Sequence, residues 1–96
     1  MMTRVSEALV KPGREQEFVE RVRALVATFP STYAGLLGHE VLVDLDDPGR
    51  VQYVSRWRDE QALVEYAGPN WRTDPVTFPD EDEFLQRPLV LRHFVS

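Results

Sequence analysis

The chain has 96 residues, a formal net charge of −5 and no cysteine, so disulfides and thiolate-bound metals are excluded. Its 43% apolar and 28% charged residues are typical of a globular protein, and we expect a single domain over residues 1–96. The acidic balance without a Lys/Arg cluster argues against a nucleic-acid partner, and the lack of an apolar run of about 20 residues argues against a membrane partner.

The first half of the sequence predicts a strand, a helix and a second strand. Residues 4–10, RVSEALV, alternate as a strand does, and no export signal precedes them, so we expect a cytoplasmic protein. From Arg14 apolar residues recur with the period of a helix, at Phe18, Val22, Leu25, Val26 and Phe29. We predict that Pro30 ends this helix and that residues 38–45, GHEVLVDL, form the second strand.

The second half repeats this order after a turn at residues 46–50, DDPGR. Residues 51–57 predict a third strand, with one face made by Val51, Tyr53, Ser55 and Trp57. Asp59 is a suitable N-cap for a short helix that ends at Gly68 and Pro69. Residues 70–83 are predicted to be irregular, including the acidic run DEDE, which we interpret as solvated surface. A helical turn at 82–86 then precedes a fourth strand at 88–95.

The order strand, helix, strand, strand, helix, strand predicts an α+β fold of the ferredoxin-like type, with two helices on one face of a four-stranded antiparallel sheet. Segments 41–43 and 89–91 are apolar on both faces, so the second sheet face also needs a cover, and we expect a homodimer. Glu7 and Glu40 lie within strands, and we expect them to pair with arginines on neighbouring strands, the candidates being Arg4, Arg56 and Arg92.

Several side chains are candidates for a functional site. Histidine suits proton transfer near neutral pH, and His39, at the start of strand two, is a candidate base or a surface residue. His93 is interpreted as a core or interface histidine. Trp57 either packs the joint between strand and helix or lines a cavity, and these roles are compatible. Candidate ligand contacts are Ser6 among small neighbours and, where a cavity mouth is expected, Tyr66, Asn70 and Trp71.

Three segments together carry a family resemblance: KPGREQEF at 11–18, GLLGHEVL at 35–42 and SRWRDEQALVEY at 55–66. The chain resembles the antibiotic biosynthesis monooxygenase family. The resemblance implies a dimeric α+β barrel with a pocket in each subunit between the sheet and its own helices. It also implies chemistry without metal, flavin or another cofactor. Trp57 matches the tryptophan that closes strand three, whereas Tyr53 and Leu63 stand where the polyketide-oxidising branch has asparagine and tyrosine.

The resemblance suggests a cofactor-independent monooxygenase for an aromatic, quinone-like or polyketide-type molecule. His39, Tyr53 and Trp57 are its expected catalytic residues, and Ser6, Tyr66, Asn70 and Trp71 its expected substrate contacts. The alternative is a domain of the same fold that binds a small molecule without chemistry. Haem degradation is not favoured, because the histidine of the haem-degrading branch is replaced by Asp74 or Pro75.

Overall fold

The computed structural model describes residues 1–96 and contains one antiparallel sheet with the strand order β2-β3-β1-β4. Its strands are β1 (Met2–Leu9), β2 (Leu36–Val43), β3 (Arg50–Trp57) and β4 (Val90–Val95). The helices are α1 (Glu15–Val26), α2 (Phe29–Thr32), α3 (Glu60–Ala67) and a 3₁₀ helix (Glu81–Phe84). The predicted ferredoxin-like α+β fold is therefore confirmed. None of these helices has the length and apolar content needed to cross a bilayer.

The hydrophobic core lies between one face of the sheet and the helices. In β3, Val51, Ser55 and Trp57 are buried on this face, which is the face predicted from their two-residue spacing. Helix α1 contributes Phe18 and the aliphatic residues of its predicted stripe. Because both patterns point to the same layer, the sequence specifies which sheet face the helices cover.

Helix α1 ends earlier than predicted. It stops at Val26, and Pro30 lies in the first turn of the separate helix α2. This position suits proline, since the first N–H groups of a helix have no partner within the helix. Phe29 is buried in the core as its place in the stripe predicted, although it belongs to α2. The periodic pattern thus located the buried residues but not the break between the two helices.

Helix α3 begins and ends as predicted. The Asp59 side chain accepts a hydrogen bond from the Ala62 backbone N–H at 2.9 Å, which satisfies one of the free donors of the first turn. Gly68 follows the last helical residue with a φ of 89°, a left-handed conformation that glycine adopts readily. These two ends fix α3 directly after Trp57.

The second sheet face carries ion pairs rather than a purely apolar surface. Arg56 pairs with Glu40 at 3.1 Å, as expected. Glu7, however, is bound by Arg50 at 3.2 Å and Arg87 at 3.3 Å, not by one of the three expected arginines. Arg4 cannot reach Glu7, because residues three apart in a strand lie on opposite faces of the sheet. Hydrogen bonding from Gln52, followed by the charges of the nearby arginines, lowers the pKa of Glu7.

The segment after α3 closes one end of the core. Phe78 and Phe84 pack against Phe18, with ring centroids 5.8 and 6.1 Å away. The acidic run at 80–83 was predicted to be solvated, and this is wrong for Glu81, whose side chain is buried with 5% exposure. The buried aromatic residues on either side of the run draw Glu81 inward, while its acidic neighbours stay exposed.

Gly35 provides a test of the contact between the second strand region and α3. A β-carbon at Gly35 would lie 2.4 Å from the Ala62 Cβ, whereas one at Gly38 would meet no atom within 4 Å. We expect Gly35→Ala to lower the free energy of unfolding by about 1–3 kcal/mol through overpacking. Gly38→Ala is the matched control, and we expect a change within about 0.5 kcal/mol. Urea denaturation of both variants measures this, and equal stabilities would contradict the close packing.

Candidate functional site

A cavity lies between the helix-facing side of the sheet and helix α1. Its wall is mainly apolar, with polar groups from a few side chains; the lining residues are Arg4, Ser6, Ala8, Phe18, Val22, Leu25, Val26, Val51, Tyr53, Tyr66, Val76, Glu81 and Leu89. The space open to the centre of a water molecule is about 30 Å³. This corresponds to room for about two water molecules. A larger ligand therefore requires the surrounding side chains to move outward.

Arg4 brings a positive charge into this wall without a carboxylate partner. It lies in β1 on the same face as Ser6, has 3% exposure, and forms no salt bridge. Its guanidinium donates to the backbone carbonyl oxygens of Trp71 and Asp74, both at 2.6 Å. Burial lowers the pKa of Arg4, although an arginine stays protonated in proteins. The cavity therefore has a fixed cation that is held by backbone carbonyl groups, with the Asp74 charge nearby but no salt bridge.

His93 lies next to this cation. Its Nε2 atom is 3.3 Å from the Arg4 guanidinium, which can only donate, so Nε2 must be unprotonated to accept. Burial, together with the positive charges of Arg4 and Arg72, lowers the pKa of His93. The ring also makes an edge contact with Trp71 at a centroid distance of 4.7 Å. His93 is thus a neutral, partly buried packing residue that supports Arg4.

Tyr53 and His39 form the second polar feature of the site. They lie on neighbouring strands, and the Tyr53 hydroxyl oxygen is 2.8 Å from the His39 Nδ1 atom. Tyr53 lines the cavity, whereas His39 contacts Tyr53 but does not line the cavity itself. Burial raises the pKa of Tyr53 well above its ordinary range, so its hydroxyl stays protonated. The pair connects the cavity to a histidine through one hydrogen bond.

Trp57 is a fully buried support of the cavity wall rather than part of it. Its indole N–H donates to the Ser55 hydroxyl at 2.9 Å, and its ring lies 4.6 Å from the Tyr66 ring. Tyr66 itself lines the cavity, and burial raises its pKa. Trp57 therefore fixes the position of Tyr66, and it packs the joint between β3 and α3.

The remaining predicted contacts lie at different depths. Ser6 lines the cavity, while Trp71 is buried beside it and supplies the carbonyl group that binds Arg4. Asn70 is exposed, and its backbone carbonyl accepts from the N–H groups of Thr73 and Asp74 in a turn. The structure thus brings Ser6, Tyr53 and Tyr66 together around one cavity, with Trp57, Trp71 and His39 in the layer behind them and Asn70 at the surface.

Sequence reasoning missed Arg4 and Glu81 as cavity residues. Glu81 accepts a hydrogen bond from the Phe78 N–H at 3.2 Å, and burial raises its pKa to about 7. Arg4 had a usable signal, since alternation along the strand places it on the same face as Ser6 and Ala8. Glu81 had none, because a run of four acidic residues is usually solvated.

The arrangement can support chemistry on an apolar molecule. Arg4 can stabilise a negative charge on a ligand oxygen, and such stabilisation is strong where water is excluded. Glu81 and the Tyr53–His39 pair can accept or return protons near neutral pH. The His, Asp and Glu side chains form no group of three or more suited to holding a metal ion.

The raised pKa of Glu81 predicts a pH dependence of stability. Between its ordinary pKa of 4.5 and about 7, the folded protein holds a proton that the unfolded chain has released. The free energy of unfolding should therefore fall by about 1–3 kcal/mol as the pH rises through this window. Urea denaturation from pH 4.5 to 8 should show a flatter profile for Glu81→Gln, whose amide oxygen still accepts from Phe78. Glu83→Gln, a change at an exposed glutamate two residues away, is the control and should keep the wild-type pH profile. A Glu81→Gln profile equal to that of the wild type would contradict the raised pKa of Glu81.

Comparison with known proteins places this geometry in a family. Residues 1–68 match the family model described as antibiotic biosynthesis monooxygenase. No curated protein matches the sequence at a significant level. Among solved structures, a conserved protein from Methanosarcina mazei Go1 is 21% identical with a TM-score of 0.77, covering 97% of this chain and 89% of that one. PA3566 from Pseudomonas aeruginosa is 23% identical with a TM-score of 0.76, covering 99% and 92%.

A crystal structure described as an antibiotic biosynthesis monooxygenase gives the same picture. It is 17% identical with a TM-score of 0.76, and the match covers 100% of this chain and 98% of that chain. At these identities the structural matches establish the shared fold. The family model covers more than two thirds of the sequence, including all three segments that carried the resemblance, and the chain therefore belongs to the antibiotic biosynthesis monooxygenase family.

Proposed function

We propose that the protein, as one domain over residues 1–96, is a cofactor-independent monooxygenase for an aromatic, quinone-like or polyketide-type molecule bound in the cavity. The observation that carries this proposal is the buried Arg4 guanidinium in a largely apolar wall, without a carboxylate partner. A cation in this setting favours a ligand that develops negative charge on an oxygen atom. Family membership supports the same reaction class.

The proposed reaction oxidises an activated methylene group to a carbonyl group. Removal of one proton gives a carbanion whose charge is delocalised onto a carbonyl oxygen facing Arg4. This electron-rich species transfers electrons to O₂. One oxygen atom becomes the new carbonyl oxygen, and the other leaves as water with the two hydrogens of the methylene group. The substrate itself is the reductant, so the protein has to position it, exclude water and move protons.

We assign the first proton transfer to Tyr53 and His39. The Tyr53 hydroxyl takes the proton from the substrate while it passes its own proton to His39 Nδ1, which is 2.8 Å away. This coupled transfer avoids a free phenolate, which the burial of Tyr53 makes unfavourable. Tyr53 is then the catalytic residue that touches the substrate, and His39 acts through it.

The other predicted residues have binding and positioning roles in this proposal. Ser6 and Tyr66 contact the substrate from the cavity wall. Trp57 holds the Tyr66 ring in place, and Trp71 holds Arg4 through its carbonyl group. Asn70 contributes through the turn that orders the backbone carbonyl of Asp74, the second acceptor for Arg4.

Oxygen consumption tests this function. Protein freed of metal and flavin should consume O₂ with at least one member of a panel of anthrones, which carry the activated methylene group. Tyr53→Phe and His39→Ala should each lower the turnover rate by about 10²-fold or more, because the proton acceptor is lost. Tyr33→Phe is the matched control, since the Tyr33 hydroxyl donates no hydrogen bond and does not line the cavity, and its rate should stay unchanged.

Two results would contradict the proposal. One is the absence of oxygen uptake with every compound of the panel. The other is full activity of the His39→Ala variant, which would remove the proposed proton path. If a ligand binds with measurable affinity and returns unmodified, the cavity belongs to a small-molecule-binding protein of the same fold instead.

We further propose that the protein is a homodimer formed through the second sheet face. This face exposes Leu42 and Phe94, at 43% and 53%, beside the ion pairs of Glu7 and Glu40. Large apolar side chains on an open sheet face favour contact with another apolar surface. A second copy of the same face provides it in a closed, symmetric arrangement.

Sedimentation tests the dimer. At micromolar concentration we expect a mass of about 22 kDa, twice the 11.1 kDa of the chain. Phe94→Glu should shift the equilibrium towards the monomer, because it buries a charge at the interface. Leu45→Glu is the control, since Leu45 is 95% exposed in the turn after β2, and it should leave the mass unchanged. A wild-type monomer would contradict the proposal.

A further inference from the structure

We propose that Glu81 contacts the ligand and accepts a hydrogen bond from a hydroxyl group on it, so that the cavity selects hydroxylated aromatic carbonyl compounds. The carbonyl oxygen of such a compound faces Arg4, and its hydroxyl group faces Glu81. This inference rests on the proposed function only in taking the cavity as the binding site.

The hydrogen bonds of Glu81 leave one oxygen available. Its Oε1 atom accepts from the Phe78 backbone N–H, while Oε2 has no partner and the carboxylate forms no salt bridge. No side-chain nitrogen or oxygen in the chain is both fully buried and without a partner. Oε2 must therefore reach open space, even though the residue as a whole has only 5% exposure. A carboxylate oxygen in this position is an acceptor that needs a donor.

Glu81 stands between the cavity and a groove at the surface. Glu81 and Leu89 line the inner cavity, and the same two residues line an outer groove next to the 3₁₀ helix. The groove is otherwise formed by residues 75–88, including Phe78 and Pro79. Glu81 and Leu89 are therefore the partition between the two spaces. A ligand that enters from the groove passes the free oxygen of Glu81 before it reaches the interior.

Arg4 and Glu81 approach the cavity from different parts of the fold. Arg4 comes from β1, and Glu81 comes from the segment that covers the sheet. They form no ion pair with each other, and both line the cavity together with Tyr66. The Arg4 guanidinium carbon lies 5.8 Å from the centre of the Tyr66 ring. Arg4 and Glu81 thus reach the cavity that contains the Tyr66 ring from separate segments of the chain.

This separation defines the ligand class. A guanidinium is only a donor, so it recognises an oxygen acceptor such as a carbonyl or an enolate. An ionised carboxylate is only an acceptor, so it recognises a hydroxyl donor. The apolar and aromatic wall between them suits a ring system. A compound that offers only one of the two groups leaves a buried charge without its partner, and this weakens binding.

The test compares two ligands that differ in one hydroxyl group, 1-tetralone and 6-hydroxy-1-tetralone. Calorimetric titration without oxygen at about pH 8.5, where Glu81 is ionised because the pH lies above its pKa of about 7, measures binding separately from turnover. For the wild-type protein we expect the hydroxylated ketone to bind about 10- to 100-fold more tightly, the usual range for a hydrogen bond to a charged group. Glu81→Leu should abolish this ratio and change the affinity for 1-tetralone by less than about 3-fold.

Two further variants complete the design. Glu81→Gln keeps an acceptor oxygen and should retain part of the ratio. Glu83→Leu changes an exposed glutamate outside the cavity, and should leave both affinities unchanged. A folded Glu81→Leu protein with the wild-type ratio would overturn the proposal, as would a wild-type protein that binds neither ketone. Loss of oxygen uptake with the ratio intact would overturn the monooxygenase reaction and leave this inference standing.

Discussion

The structure around the cavity depends on the burial of one charged side chain, Arg4. Its guanidinium leaves water and is held by two carbonyl oxygens of the chain that follows α3. Burying a charge costs free energy unless strong hydrogen bonds replace the lost water, so this chain segment and the sheet stabilise each other. Burial and the charge of the same cation lower the pKa of His93. One interaction thereby connects β1, β4 and the covering segment, and gives the cavity its polarity.

The two faces of the sheet differ in how their charged side chains are paired. On the outer face Glu7 and Glu40 are each paired with arginines, namely Arg50, Arg87 and Arg56. On the inner face Arg4 and Glu81 line one cavity without an ion pair to any side chain. Unpaired charges in a water-poor space interact strongly with whatever enters it. The inner face therefore presents ionisable groups that have no ion-pair partner.

Three of the predicted site residues, Ser6, Tyr53 and Tyr66, line the cavity, and the others do not. Tyr53, Ser55 and Trp57 were placed on the correct face because alternation along a strand is a local property. The bond between His39 and Tyr53 depends on the register between β2 and β3, which a bulge at residues 36–38 adjusts. No local pattern encodes that register. Glu81 was interpreted as surface because only the packing of Phe78 and Phe84 against Phe18 draws it inward.

The sequence by itself determined the order of the strands and helices, the apolar stripe of α1, the residues that share one face of β3, the caps of α3 and the family. These features follow from periodicity, from capping residues and from short motifs, all of which act over a few residues. Only the tertiary structure decided that Arg4 stands unpaired in a cavity, that Trp57 supports Tyr66 from behind, and that Glu81 separates the cavity from the groove. Each of these depends on contacts between residues that are distant in the chain, and side-chain burial is settled only when those elements pack together.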